Sequence, residues 1–195
     1  TASPFALERW AAFFANFGQF AKGFFYTLGI SIGALIVALL LGLIFGAMSS
    51  THNKVLRGIS RVYVEIFQNT PLLVQFVVVF YGISILTDGH VMIPISLTAI
   101  LCVGIYTGAY ISEIIRTGIE AVPKGQTEAA LSQGFTYADT MRIIILPQAV
   151  RTILPPLTNQ VVNLIKNTST VAIISGADIM FTAKAWAYDT TNYVP

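Results

Sequence analysis

Charge is scarce in this chain. Aspartate, glutamate, lysine and arginine make up 10% of its 195 residues, against roughly 25% in an ordinary soluble domain, a deficit too large for one buried core to explain. Hydrophobic residues reach 55% and mean hydropathy is +0.73, the composition of a membrane protein. A single cysteine, Cys102, excludes a disulfide framework and a cysteine-based metal site. Two histidines, His52 and His90, lie far apart in sequence and form no metal-ligand cluster. The formal net charge of +2, with no clustered basic face, excludes a nucleic-acid partner.

What the chain has instead is long uncharged runs. Phe24 to Ala47 is uncharged over 24 residues, which as a helix is about 36 Å long and crosses a bilayer with some tilt. Ile66 to Thr87 and Val91 to Ser112 are each uncharged over 22 residues. A fourth block, Pro147 to Lys166, is long enough to cross but carries Asn159, Gln160 and Asn163. Amides at that depth must face protein or a water-filled path, because an unpaired polar group in hydrocarbon costs several kcal/mol. The expected fold class is therefore an all-α polytopic membrane bundle with four crossings.

Seven of the eleven basic residues flank the first and third connections: Lys54, Arg57, Arg61, Arg116, Lys124, Arg142 and Arg151. The second connection, Asp88 to Ile93, has none. By the positive-inside rule the first and third connections are cytoplasmic and the N-terminus is outside. Residues 1–22, with Trp10 and five phenylalanines including Phe5, are expected to form an interfacial amphipathic helix. Thr168 to Pro195 has only a short apolar run, Val171 to Ala177, and is expected outside as a loop or partial helix.

Small-xxx-small pairs at Gly29 with Gly33, Gly42 with Gly46, and Gly104 with Gly108 predict close helix contacts. Gly29-x-Ser31-x-Gly33 also spells a hydrolase elbow, but that motif needs a strand-to-helix turn and acid and histidine partners. Within a membrane helix Ser31 reads as a packing residue.

Between the third and fourth spans the polar stretch contains its own punctuation. Pro123 suits the start of a helix, Glu128 is placed early in it where a carboxylate complements the dipole, and Gly134 suits the left-handed cap after it. Thr136 and Asp139 have capping-box spacing for a second helix running toward Pro147. The small-residue helix around Glu128, Ala129 and Ala130 reads either as a surface that enters a partner's groove or as an ordinary surface connection.

These residues carry a resemblance. Glu128-Ala129-Ala130, Gly134, Ile144, Leu146 and Pro147 resemble the E-A-A-x3-G-x9-I-x-L-P coupling loop of permease subunits of ATP-binding cassette importers. Phe67-Gln68-Asn69-Thr70-Pro71-Leu72-Leu73-Val74-Gln75 is similar to the F-R-x-T-P-L-L-V-Q segment of the polar amino acid subfamily, with Gln68 where relatives have Arg. Gly108-Ala109-Tyr110, Glu113, Arg116, Gly118 and Pro123-Lys124-Gly125-Gln126 are similar as well.

The resemblance implies a type I importer permease in a bacterial plasma membrane. It implies a second permease subunit, identical or homologous, a cytoplasmic ATPase dimer, an extracytoplasmic binding protein or fused binding domain, and an amino acid substrate such as glutamine or glutamate. Residues 23–195 would be the transmembrane domain, with the coupling loop at 117–146 and Glu128, Ala129, Ala130 and Gly134 gripping the ATPase. A five-helix core is implied, so a last helix is expected beyond Pro195 and the chain reads as a segment of a longer protein. No G-x-x-x-x-G-K-[ST] phosphate loop is present, so the chain is expected not to be an enzyme; ATP and magnesium would be bound by the partner, and no cofactor by this chain.

Candidates for the substrate path are Thr70, Tyr106, Thr107, Asn159, Asn163 and Lys166. Asparagine offers both an acceptor for an ammonium and a donor for a carboxylate without a buried charge, although such amides also serve to bridge helices, Gln160 especially. A secondary transporter or channel subunit for small polar solutes is the alternative reading. An ion-coupled carrier should carry intramembrane carboxylates, whereas Glu65 and Glu113 lie only at predicted inner ends.

Overall fold

The computed structural model describes residues 7–174 and 178–190, and these are helical with no strand among them. Phe5, residues 175–177 of the short apolar run and Pro195 lie outside the described residues.

A short helix, α1 (Leu7–Ala15), precedes α2 (Phe17–Ser49), which has 33 residues. The first uncharged run is thus the middle of a longer helix of about 50 Å, and the boundary expected at residues 22 and 23 falls inside it. Lys22 does not end the helix, because a lysine near an interface extends its ammonium to water while its stem stays apolar. α1 is placed beside α2 by an aromatic cluster in which Phe13 stacks at 4.9 Å from Phe20 and 6.2 Å from Trp186.

The second predicted span is not one helix. α3 (Lys54–Asn69) ends at Thr70, and α4 (Leu72–Val77) starts at a bend of 97° to it. Pro71 has no N–H to continue the α3 ladder and forces Thr70 out of the helical region, to φ −102° and ψ 122°. Gln75, buried, then ties the corner: its Nε2 donates to the carbonyls of Thr70 (3.0 Å) and Phe67 (3.2 Å). α4 continues through a π-helical turn, Val78–Gly82, into α5 (Ile83–Leu86).

The third span is α6 (Ile95–Glu120), which starts later and runs farther than the uncharged run Val91 to Ser112. It packs along α2 through the glycine pairs. A Cβ on Gly46 would sit 2.8 Å from Ile115 Cβ, and one on Gly108 would sit 3.1 Å from Leu41 Cβ and 3.3 Å from the Ala38 carbonyl. Such approach gives dispersion contact between backbones where lipid supplies no drive for association. Gly33 joins this seam against Ile100, whereas Gly29 has no atom within 4 Å and does not. Ser31 is buried and donates to the Thr27 carbonyl at 2.8 Å, a packing residue as expected.

α7 (Lys124–Ser132) is followed by α8 (Tyr137–Asp139), a π-helical turn Thr140–Ile145, and α9 (Leu146–Asn167). A 3-10 segment, Thr168–Ile174, leads toward α10 (Ile179–Thr190). The latter docks on the first turns of α2, with Ile179 N–H donating to Thr27 Oγ1 at 3.0 Å.

By length and composition α2 and α6 can cross a membrane, and the broken α3 to α5 pair counts as a third. The expected fourth crossing exists as the helix α9, but its amides, prolines and Arg151 keep it from qualifying on apolarity. Its place in a bilayer depends on something other than lipid covering its polar face.

Candidate coupling helix and substrate path

The connection after α6 has the local structure its caps dictate. Gly134 sits at φ +88°, a region where a side chain is strained, and it lets Phe135 N–H bond the Ala130 carbonyl and Gly134 N–H bond the Leu131 carbonyl, each at 3.1 Å. That pair is a Schellman closure. At the next start, Thr136 Oγ1 accepts from Asp139 N–H at 3.1 Å and meets Asp139 Oδ2 at 2.6 Å. Of the expected loop 117–146, residues through Glu120 belong to α6 and residues from Tyr137 onward to α8, the π turn and α9.

Glu128 is exposed, as expected for a docking residue, but it does not serve the helix dipole. α7 begins at Lys124, so Glu128 is in the second turn and the first turn holds no acid; the dipole effect falls off within one turn. Ala129 and Gly134 are exposed too, while Ala130 is 3% exposed and anchors the helix inward. α7 packs on the π turn Thr140–Ile145, which runs into α9 without a break.

The path candidates separate into two groups. Asn159, Asn163 and Lys166 share one face of α9 with Thr152, and all four are exposed. Neither asparagine side chain has a hydrogen bond among the described residues. Thr107, by contrast, is fully buried with its hydroxyl unpartnered among the described residues, and Thr70 is half-buried with its carbonyl held by Gln75. Tyr106 Oη pairs with Tyr110 Oη at 3.1 Å, half-buried against the core. The structure therefore groups the α9 residues and draws Thr107 into packing.

Two arrangements go beyond the resemblance, in which Gln75, Glu113 and Arg116 figure only as matched positions. One is the Gln75 brace, whose signal was a lone amide just after a proline break. The other is a charge cluster at the C-terminal end of α6, where Arg116 bonds both Glu113 and Glu120, the latter at 2.6 Å; the i, i+3 and i, i+4 spacing of opposite charges is its signature.

Residues 38–194 match the family described as binding-protein-dependent transport system inner membrane component. The chain belongs to that family. It is 42% identical over 173 residues to the probable glutamine ABC transporter permease protein GlnM of Bacillus subtilis (strain 168), covering 87% of this chain and 77% of that one. It is 35% identical over 187 residues to the glutamate/aspartate import permease protein GltJ of Escherichia coli (strain K12), covering 87% and 76%. A crystal structure of an amino acid ABC transporter with histidines superposes with a TM-score of 0.86 at 33% identity, over 95% of this chain and 86% of that one. An inward-facing structure of the MetNI methionine ABC transporter superposes at 0.70 with 17% identity, over 92% and 84%, which shows a shared fold.

The permease fold is that of an ABC importer, and the chain is a membrane transport component, with relatives named as permeases rather than enzymes. The secondary-transporter reading is set aside by this membership.

Proposed function

We propose that this permease carries a polar amino acid such as glutamine or glutamate across a bacterial plasma membrane, in a complex with a second permease subunit, a cytoplasmic ATPase dimer and an extracytoplasmic binding protein or domain. Relatives named for glutamine and for glutamate and aspartate support the substrate class. In this reading the ATPase binds ATP and magnesium, the chain from the start of α2 onward forms the transmembrane domain, and the N-terminus is outside.

One observation carries the mechanism. α7 presents Glu128 and Ala129, and the turn after it Gly134, to the outside of the fold; α7 is anchored by buried Ala130 and rests on the turn that becomes α9, the helix bearing the exposed Asn159, Asn163 and Lys166. A push on α7 is thereby a push on the polar face. That face offers amide acceptors for the substrate's ammonium and amide and lysine donors for its carboxylate. A polar face on a helix at membrane depth needs cover by water, substrate or the second subunit.

The test is Glu128→Lys in the reconstituted complex. Charge reversal at an exposed residue leaves folding intact, and substrate-stimulated ATP hydrolysis is expected to fall at least tenfold, about 1.4 kcal/mol. Stimulation equal to the parent protein refutes the coupling role of α7.

A further inference from the structure

α3 has three distinct faces. One is docked: Ser60 Oγ donates to the Phe45 carbonyl and Tyr63 Oη to the Ile105 carbonyl, both at 2.7 Å. A second carries Val55, Ile59, Val62 and Ile66 at i, i+4, i+7 and i+11, between 49% and 69% exposed. Four aliphatic side chains in one open stripe, on a helix whose cavity-facing side carries Lys54, Arg57, Arg61, Glu65 and Gln68, are the signature of a helix lying in a membrane interface. The 97° bend agrees, since it turns α3 away from the direction of the segment that follows, as a helix lying along the bilayer plane requires.

The third face opens on a cavity of about 620 Å³ between α3 and α6. Its lining holds four cations and three acids, and the acids are taken: Arg61 pairs with Glu65 at 2.7 Å, and Arg116 with Glu113 and Glu120. Lys54 and Arg57 line the cavity with no acidic partner among the described residues. They stand in the first turn of α3, where the helix dipole is also positive and no acid offsets it. Ser112 lines the same cavity, is 1% exposed, and its hydroxyl has no hydrogen-bond partner among the described residues. Uncompensated positive charge and an unused hydroxyl beside an apolar stripe are complementary to one kind of molecule, an amphiphile with an anionic head.

We propose that this cavity binds the headgroup of an anionic phospholipid of the cytoplasmic leaflet, its phosphate against Lys54 and Arg57 and its acyl chains along Val55, Ile59, Val62 and Ile66. The proposal rests on the membrane orientation adopted above but on no property of the substrate or ATPase. The lipid supplies the counter-charge that the chain lacks at the start of α3 and fixes that helix in the interface beside the Thr70–Pro71 corner.

The experiment is native mass spectrometry of the purified permease from nanodiscs containing phosphatidylcholine with and without phosphatidylglycerol. The parent protein is expected to retain phosphatidylglycerol in preference to phosphatidylcholine. In the Lys54→Gln, Arg57→Gln double variant this preference should fall roughly 30-fold, at about one surface-potential increment per cation. Lys184→Gln, a cation removed on α10, should leave it unchanged, and Arg57→Lys should largely retain it, which separates lost charge from lost folding. Equal retention by the double variant overturns the proposal, as does a parent protein without lipid preference. Disulfide cross-linking of two chains through Ile59→Cys would put a second copy on the stripe and overturns it too. No ATP or substrate enters the measurement, so its failure leaves the import reading standing.

Discussion

Replacing Gly104 with alanine tests the seam on which the fold is built. A Cβ at that position lies 2.7 Å from Val37 Cβ, 2.8 Å from Val37 Cγ1 and 3.1 Å from the Ala34 carbonyl oxygen. Rotation cannot relieve the first contact, since Val37 Cβ is fixed to the α2 backbone, and valine in a helix is stiff at χ1. α2 and α6 must separate locally by about 0.7 Å to restore ordinary contact, and a gap of that size forfeits a quarter to a half of each dispersion well along the neighbouring contacts. Overpacking of this kind costs about 1–3 kcal/mol, and at 2–4 °C per kcal/mol for a chain of this size the melting temperature should fall by roughly 2–12 °C. The matched control is Gly29→Ala, where no atom lies within 4 Å of the added methyl and helix propensity favours alanine by up to about 1 kcal/mol. Thermal unfolding of the two variants in detergent, followed by circular dichroism, makes the comparison. Val37→Gly combined with Gly104→Ala should recover part of the loss, because it removes both close atoms. A Gly104→Ala protein melting at or above the Gly29→Ala protein refutes the claim that direct backbone approach holds the two helices together.

Two further outcomes can be read independently. Asn159→Leu with Asn163→Leu should leave stability unchanged or raised, since neither amide has a partner among the described residues, while reducing substrate uptake in proteoliposomes roughly tenfold or more, the loss of two hydrogen bonds; unchanged uptake removes these amides from the path. At the start of α10, burial pushes the Asp178 carboxyl up, against the Phe181 N–H bond at 3.0 Å that favours its charged form. With its folded value above its unfolded one, the carboxyl favours the folded state below the unfolded value of about 3.9 and loses that contribution as pH rises through the folded value. Asp178→Asn keeps the acceptor without the charge, so its melting temperature should decline less than the parent's as pH rises from about 4 to about 7; parallel curves contradict the burial cost.

The turn around α7 was legible from sequence because every feature in it is local. Gly134 at a left-handed position and Thr136 with Asp139 each act within a few residues and take their expected places, whereas Pro123, expected in the first turn, stands just before it. Glu128 was placed one turn too early because the helix starts only after Pro123. The corner at Thr70–Pro71 was partly hidden for a different reason. The uncharged run that begins at Ile66 joins the end of the amphipathic α3 to the start of α4, and a count of charges cannot see that the two halves have different surroundings. Ile66 belongs to the stripe of Val55, Ile59 and Val62, a 3.6-residue pattern that crosses the boundary the charges suggested. The polar residues of the path show the limit most clearly. Side-chain chemistry points to Thr70, Tyr106, Thr107, Asn159 and Asn163 within the spans and to Lys166 at the end of the fourth, but exposure is a property of packing, and only the fold separates Asn159, Asn163 and Lys166 from the buried Thr107.

Packing also explains why α9 is the element suited to move. α6 has eleven buried residues, is seamed to α2 by glycines, and is held by Tyr63 and by Gln68, whose Nε2 donates to the Ala109 carbonyl at 3.3 Å. Of the 22 residues in α9, Ala149 and Leu164 are buried, and Pro155 and Pro156 lie inside it, each removing a hydrogen bond from the ladder. A segment with few buried contacts and a weakened ladder sits at the low end of local stability. The π turn Thr140–Ile145 joins it to α7, and π turns inside helices mark places where the ladder changes register at small cost. A force delivered to α7 therefore meets a stiff α2–α6 body on one side and a compliant α9 on the other. In the import reading proposed above, displacement goes to the compliant helix, the one that carries the exposed Asn159 and Asn163.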